Sequence, residues 1–151
     1  RYIPGDEYNW VNIQSAADEY NEISLKLFRK EFGRDPDALS QRQLYITTSA
    51  NKEIGTATAW YDENYHGKRY GRIHWVAIHP DWQGRGLARP LLSQTCLRLR
   101  RLGHEKAYLT TSSARIPAIN LYLKFGFNPE IQDKDDATVW KHIGKHTKYP
   151  L

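Results

Sequence analysis

Methionine is absent from the 151 residues and cysteine occurs once, as Cys96. A lone cysteine excludes a disulfide within the chain and fits a reducing compartment, so a cytoplasmic location is expected. No apolar run approaches the roughly 20 residues of a membrane span, and the first ten residues lack the apolar block of a signal peptide. Because no initiating methionine is present, Arg1 is expected to lie inside a trimmed first strand. There is no internal repeat, low-complexity tract or linker, and a single domain over 1–151 is expected, long enough to bury a core. The chain has no G-x-x-x-x-G-K-[ST] run, which excludes a P-loop.

What is present is a globular composition, 40% hydrophobic, 26% charged and 13% aromatic, with a net charge of +5. The modest positive charge suits the collection of an anionic ligand. Its tightest cluster, Arg98, Arg100, Arg101 and Lys106, lies near the end of a helical pattern, where cations are favoured in any case. No aromatic residues are interleaved there as stacking platforms, which argues against nucleic acid.

Periodicity gives the expected elements. Asp6 is placed to cap a helix bearing Trp10, Ile13, Ala17 and Tyr20, and a second helix runs from Glu22 to Phe32. Residues 33–40 read as loop. Strands are expected at 43–48 and 54–61, then a polar loop over 62–71, then a central strand at 72–78. A long helix over 86–102 presents Leu87, Leu91, Leu92, Cys96, Leu99 and Leu102 on one face. A strand at 106–111, a short helix at 117–125 stopped by Gly126, and closing strands at 127–131 and 137–143 complete the chain. The order is β-α-α-β-β-β-α-β-α-β-β: an α/β domain with a mixed, mostly antiparallel, seven-stranded sheet and about four helices.

The most specific stretch is Gln83-Gly84-Arg85-Gly86-Leu87-Ala88, between the central strand and the long helix. The first N–H groups of a helix lack internal partners and sit at the positive end of its dipole. Glycines remove the Cβ atoms that would hold a phosphate away from them. A dinucleotide fingerprint fails here, because its last glycine position is Arg89 and the following strand ends Thr110-Thr111-Ser112 without an acidic residue. The Q/R-x-x-G-x-G/A pattern is met by Gln83, Gly86 and Ala88.

A second block, Pro117-Ala118-Ile119-Asn120-Leu121-Tyr122-Leu123-Lys124-Phe125-Gly126-Phe127, resembles the A-x-x-L-Y-x-K-x-G-F signature of the GCN5-related N-acetyltransferases (GNAT). The segment Trp75-Val76-Ala77-Ile78-His79-Pro80 is similar to the strand that precedes the acetyl-CoA loop of that family. The resemblance covers nearly the whole chain. It implies transfer of an acetyl group from acetyl-CoA to a primary amine of a small molecule or peptide, without a metal. It places the cofactor pyrophosphate on Gln83, Gly84, Arg85, Gly86, Leu87 and Ala88, the pantetheine arm along Val76, Ala77 and Ile78, and further cofactor contacts at Asn120 and Tyr122. Many relatives carry Asn where this chain has Arg115, whose cation suits an anionic group instead.

The resemblance makes Tyr122 the proton donor to the departing thiolate; read from the helix alone, it is a core tyrosine. His74 is expected to be the base that takes the amine proton. Strand parity puts it on one face with Val76 and Ile78, and an ordinary imidazole there gives an ascending limb near neutral pH. The opposing reading is a hydrogen-bonded sheet histidine. His79 falls at the strand end, and His142 and His146 lie on a strand and tail, so no metal site is expected. Asp62, Glu63, Tyr65 and His66, and more remotely Tyr20 and Glu22, are candidates to line an acceptor site. Cys96, on the apolar helix face, reads as a packed thiol. Alternative functions are a non-catalytic acyl-CoA-binding or sensor domain, and an acetyltransferase for a protein N-terminus, a lysine or charged tRNA. A homodimer is compatible with the family.

Overall fold

A computed structural model describes all of residues 1–151. Residues 1–109 and 110–151 form two units. The first opens with three helices, α1 (Asp6–Ala17), α2 (Leu25–Phe32) and α3 (Pro36–Arg42). Asp6 is the first residue of α1 rather than its cap, and its carboxylate accepts the Ile3 N–H at 2.8 Å. Ser24 caps α2 by accepting from the Leu27 N–H. Helix α3 replaces the loop expected at 33–40. Asp35 caps it and Pro36 occupies the first turn, where the missing N–H costs no bond, so its loop-like composition is a helix start.

The sheet has four strands, β1 (Gln43–Thr47), β2 (Glu53–Tyr65), β3 (Lys68–Ile78) and β4 (Ala107–Tyr108), in that spatial order. The first three are antiparallel and β4 is parallel to β3. This α/β fold therefore has a mixed four-stranded sheet and six helices, not seven strands and four helices. No strand forms around Arg1; one bond ties the segment to the sheet, from the Tyr2 N–H to the Gln43 carbonyl at 3.2 Å. The polar loop expected at 62–71 is instead the end of the β2–β3 hairpin. His66 and Gly67 form its turn with φ of 51° and 76°, the positive pair that matches strand twist. Tyr65, on β2, stacks on Tyr108 of β4 with centroids 3.8 Å apart and stiffens that end.

Two clusters cover the two faces of the sheet. Trp10, Phe28, Phe32, Tyr2 and Leu39 pack with Tyr45, Trp60 and Trp75 under α1–α3. Ala57, Ile78 and Leu91 pack with Leu44, Ile46, Val76 and Leu87 under α4 (Ala88–Arg101). The alternation of Leu44, Tyr45 and Ile46 between these clusters is the pleat of β1. Gly55 opposes Ile78 in the ladder, and a Cβ there would fall 2.6 Å from Ile78 Cδ1, so any larger residue would have to displace the end of that side chain.

The second unit contains α5 (Ile116–Lys124) and α6 (Lys134–Gly144). The closing strands expected at 127–131 and 137–143 are absent: 127–131 is irregular and 137–143 lies in α6. Asp133 accepts from the N–H groups of Asp135 and Asp136, these two acids sit in the first turn, and Lys141 and His142 sit in the last. Cap and dipole complementarity outweigh the β-branched Thr138 and Val139. No helix of the protein is long and apolar enough to cross a membrane.

Trp10 is fully buried and meets Phe28, Phe32 and Trp75 edge-on at centroid distances of 5.3, 5.7 and 5.3 Å. Trp10→Ala is expected to lower unfolding free energy by roughly 3–5 kcal/mol in urea titrations. A loss below about 1 kcal/mol would contradict this core assignment.

Candidate active site

Residues 79–88 turn the chain from the end of β3 into α4. His79 Nδ1 accepts the Asp81 N–H and caps the short 3-10 turn Pro80–Trp82. Gln83 folds back, its Nε2 donating to the Ile78 carbonyl at 2.9 Å, and so ties the loop to the strand. Gly84 and Gly86 have φ of 73° and 75°, and nothing lies within 4 Å of a Cβ built on either. Leu87 precedes α4 without a side-chain cap. The N–H groups of Gly84, Arg85, Gly86, Leu87 and Ala88 have no protein acceptor. Five donors, open space and a helix start form a cradle for an anion. Arg85 stacks over Trp82 at 4.5 Å and donates to the Asp81 carbonyl, which keeps a cation at its rim. Leu87 and Ala88 pack with Val76, Ile78 and Leu91, so the cradle rests on the core.

The edge of β3 next to this loop is open. Pairing with β4 consists of Gly71↔Ala107 and Arg72↔Tyr108 and then stops. From Ile73 to Ile78 the strand has no strand partner on that side, an edge suited to an extended ligand.

The same stretch carries a bulge. Thr58 opposes His74 but Thr56 opposes Ala77, so one β2 residue faces both Trp75 and Val76. Trp75 absorbs the extra residue with φ of 51°. This overturns the expected strand parity. His74 and Trp75 both face the α1–α3 side, whereas Val76 and Ile78 remain with α4.

His74 is 8% exposed, and its Nε2 lies 2.7 Å from Glu31 Oε2 of α2. The same carboxylate oxygen accepts the Trp75 indole N–H at 3.1 Å. Burial, reinforced by the Arg72 charge, lowers the imidazole pKa from 6.5 to about 4 against the opposing pull of Glu31. Burial pushes the Glu31 carboxyl up, but the hydrogen bonds from Trp75 and His74 and the positive charges around it bring it below its usual value. At neutral pH the pair is a neutral imidazole donating to a carboxylate. The limb expected near neutral pH for an ordinary histidine therefore moves into the acid range.

The remaining sequence candidates scatter. Tyr122 is half-buried on α5, edge-on to Phe127 at 6.4 Å, and burial, partly offset by Arg115, raises its pKa. It is thus a protonated phenol at neutral pH. Asn120 is occupied within its own unit, donating to the Ile116 carbonyl and accepting the Lys148 N–H. Asp62 accepts from the Tyr108 hydroxyl, and Tyr20 is largely exposed. Sequence reasoning missed Glu31 and Arg72. Glu31 lies three residues after Phe28 and so borders the buried face of α2, the one signal that could have marked it.

The family model for acetyltransferases of the GNAT family matches residues 10–127. The chain belongs to the GNAT family. It is an acyltransferase of that family's α/β fold. An acetyltransferase of Pectobacterium atrosepticum is 28% identical over 131 residues, covering 86% of this chain and 82% of its own length. The ribosomal-protein-S18-alanine N-acetyltransferase of Escherichia coli superposes with a TM-score of 0.67 at 24% identity, covering 86% of this chain and 76% of the other. A chain of the NatC complex bound to Gag peptide and CoA superposes at 0.72 with 18% identity, covering 85% and 80%.

The buried imidazole of this acetyltransferase sets a pH dependence. Between pH 6.5 and about 4 the unfolded chain binds a proton at His74 that the folded chain does not. Stability therefore falls as pH falls through that window, by roughly 3 kcal/mol for this group. Urea unfolding of wild type and His74→Gln is expected to show a flatter profile in the variant. Parallel profiles would contradict a buried neutral imidazole.

Proposed function

We propose that this chain is an acetyl-CoA-dependent N-acetyltransferase that transfers the acetyl group directly to a primary amine. The observation that carries the reading is the row of unpartnered N–H groups at 84–88 beside the open edge of β3. A pyrophosphate suits the cradle, and a pantetheine amide chain suits the β3 edge along Val76, Ala77 and Ile78, which has no strand partner opposite β2; the Ile78 carbonyl there is already taken by Gln83 Nε2. Both contacts use main chain, so they fix the donor in place without depending on side-chain identity. Residues 1–151 act as one catalytic domain in this reading, supported by a family match over residues 10–127 that extends from the first unit into the second. A cytoplasmic location accords with the single thiol Cys96, whose burial raises its pKa and leaves it unreactive.

The chemistry then needs proximity and two proton transfers. A neutral amine attacks the thioester carbonyl; the C–N bond forms and the C–S bond breaks. Bonding to the carbonyl makes the amine N–H strongly acidic, so a weak base is competent to take its proton. His74 is that base, two residues beyond the last β3–β4 pair and unprotonated above about pH 4. Tyr122, a protonated phenol at neutral pH, gives its proton to the departing thiolate, supported by its place in the α5 block.

The acceptor is decided by a screen of acetyl-CoA consumption against spermidine, kanamycin, glucosamine 6-phosphate, free amino acids, an Ala-initiated peptide and a lysine peptide. Amine-dependent release of CoA is expected with at least one. Release independent of every amine would contradict N-acetylation.

Gly86→Glu brings a side chain and a negative charge into the cradle. In a variant with wild-type circular dichroism, calorimetric binding of acetyl-CoA is expected to vanish; unchanged affinity would rule the loop out. Tyr122→Phe is expected to lower kcat by about 10²-fold or more with acetyl-CoA affinity retained. A kcat within about twofold of wild type, accompanied by lost stability, would make Tyr122 a packing residue.

A further inference from the structure

We infer that Glu31 is a positioning residue that holds His74 as the Nε2–H tautomer and so leaves Nδ1 as the atom that receives the amine proton, an inference that rests on the acetyl-transfer reading above. An ionised carboxylate only accepts hydrogen bonds, and Glu31 Oε2 lies 2.7 Å from His74 Nε2. Nε2 must therefore carry hydrogen. A neutral imidazole has one N–H, so Nδ1 bears the lone pair, and it has no protein partner. The accepting oxygen is itself fixed from a second side by the Trp75 indole at 3.1 Å. Phe32 and Trp75 confine the ring at centroid distances of 5.7 and 5.9 Å.

The charged groups facing His74 are Glu31 from α2 and Arg72 from β3 itself. Across the ladder β2 presents Thr58, which does not titrate, and α1 presents Gln14 to the Trp75 carbonyl. Glu31 is thus the one anion available to the imidazolium that exists after transfer. In the step itself the amine N–H bond breaks, its proton bonds to Nδ1, and the electron pair stays on the new amide nitrogen. Nε2–H continues to donate to Glu31 until Nδ1 returns the proton to water. A protonated Nδ1 in the resting enzyme would have no lone pair to offer.

Imidazole 15N–1H spectra test this without turnover, with the His74 resonance assigned by its loss in His74→Gln. Wild type is expected to show the Nε2–H tautomer at neutral pH, and Trp75→Phe, which keeps the carboxylate, is expected to retain it. Glu31→Gln offers both an acceptor and a donor, so a mixture of tautomers is expected. With the fastest amine of the screen, its kcat is expected to fall about tenfold while KM for acetyl-CoA stays within about twofold. If Glu31→Gln does not fold, Glu31→Asp serves instead, with the Nε2–H tautomer expected to persist. An Nδ1–H tautomer in wild type, or mixed tautomers in Glu31→Gln with undiminished kcat, would overturn the role of Glu31. An Nε2–H tautomer together with unchanged kcat in His74→Gln would instead overturn the base assignment beneath it.

Discussion

Trp75 holds a backbone conformation, φ of 51°, that a bulky residue adopts only under constraint. Such a residue costs on the order of 1–3 kcal/mol and persists where its surroundings over-determine it. Three contacts do so here. Gln14, itself buried, donates to the Trp75 carbonyl at 2.8 Å; Glu31 accepts from the indole; and Trp10 meets the ring edge-on. Helices α1 and α2 are thereby fastened to one irregular point in β3. The aromatic core of the first unit is built around that point, which explains why a chain of this length uses so many tryptophans and phenylalanines there.

The bulge separates two tasks along one strand. On the α4 side, Val76 and Ile78 belong to the apolar floor on which Leu87, Ala88 and the glycine loop rest. On the α1–α3 side, His74 and Trp75 converge on one carboxylate. A regular strand would place Trp75 on the α4 side and break this convergence. Because β4 leaves β3 after Arg72↔Tyr108, the bulged segment is also where the sheet edge is open. An anion cradle made of main chain, an edge made of main chain and the histidine of the titratable pair thus occur within sixteen residues, from Ile73 to Ala88. Catalysis by positioning needs little else.

Local patterns were legible in the sequence and distant couplings were not. The 83–88 loop could be read because glycine spacing and a helix start act within a few residues, and the structure gives both glycines positive φ. The α4 face was legible from its period. Asp62, Glu63 and Asn64 suggested a loop, yet cross-strand stacking of Tyr65 on Tyr108 extends the hairpin to His66-Gly67. At 137–143 the β-branched residues suggested a strand, while the deciding signal was the Asp133 cap outside that window. The bulge has no sequence signature, since a tryptophan occupies the position glycine usually takes. The Glu31–His74 pair joins residues 43 apart in the chain and could not be read from either neighbourhood.

The central claim is that main chain, at the loop and along the open strand edge, holds an acetylated pantetheine-phosphate ligand. Backbone amide NMR during titration with acetyl-CoA tests it most directly. The account predicts that the amide resonances of Gly84 to Ala88 and those of Val76 to Ile78 shift together with one dissociation constant. It also predicts that inorganic pyrophosphate shifts the loop resonances and leaves the strand resonances in place. Saturable binding of acetyl-CoA that leaves the 84–88 amides unmoved would contradict the account.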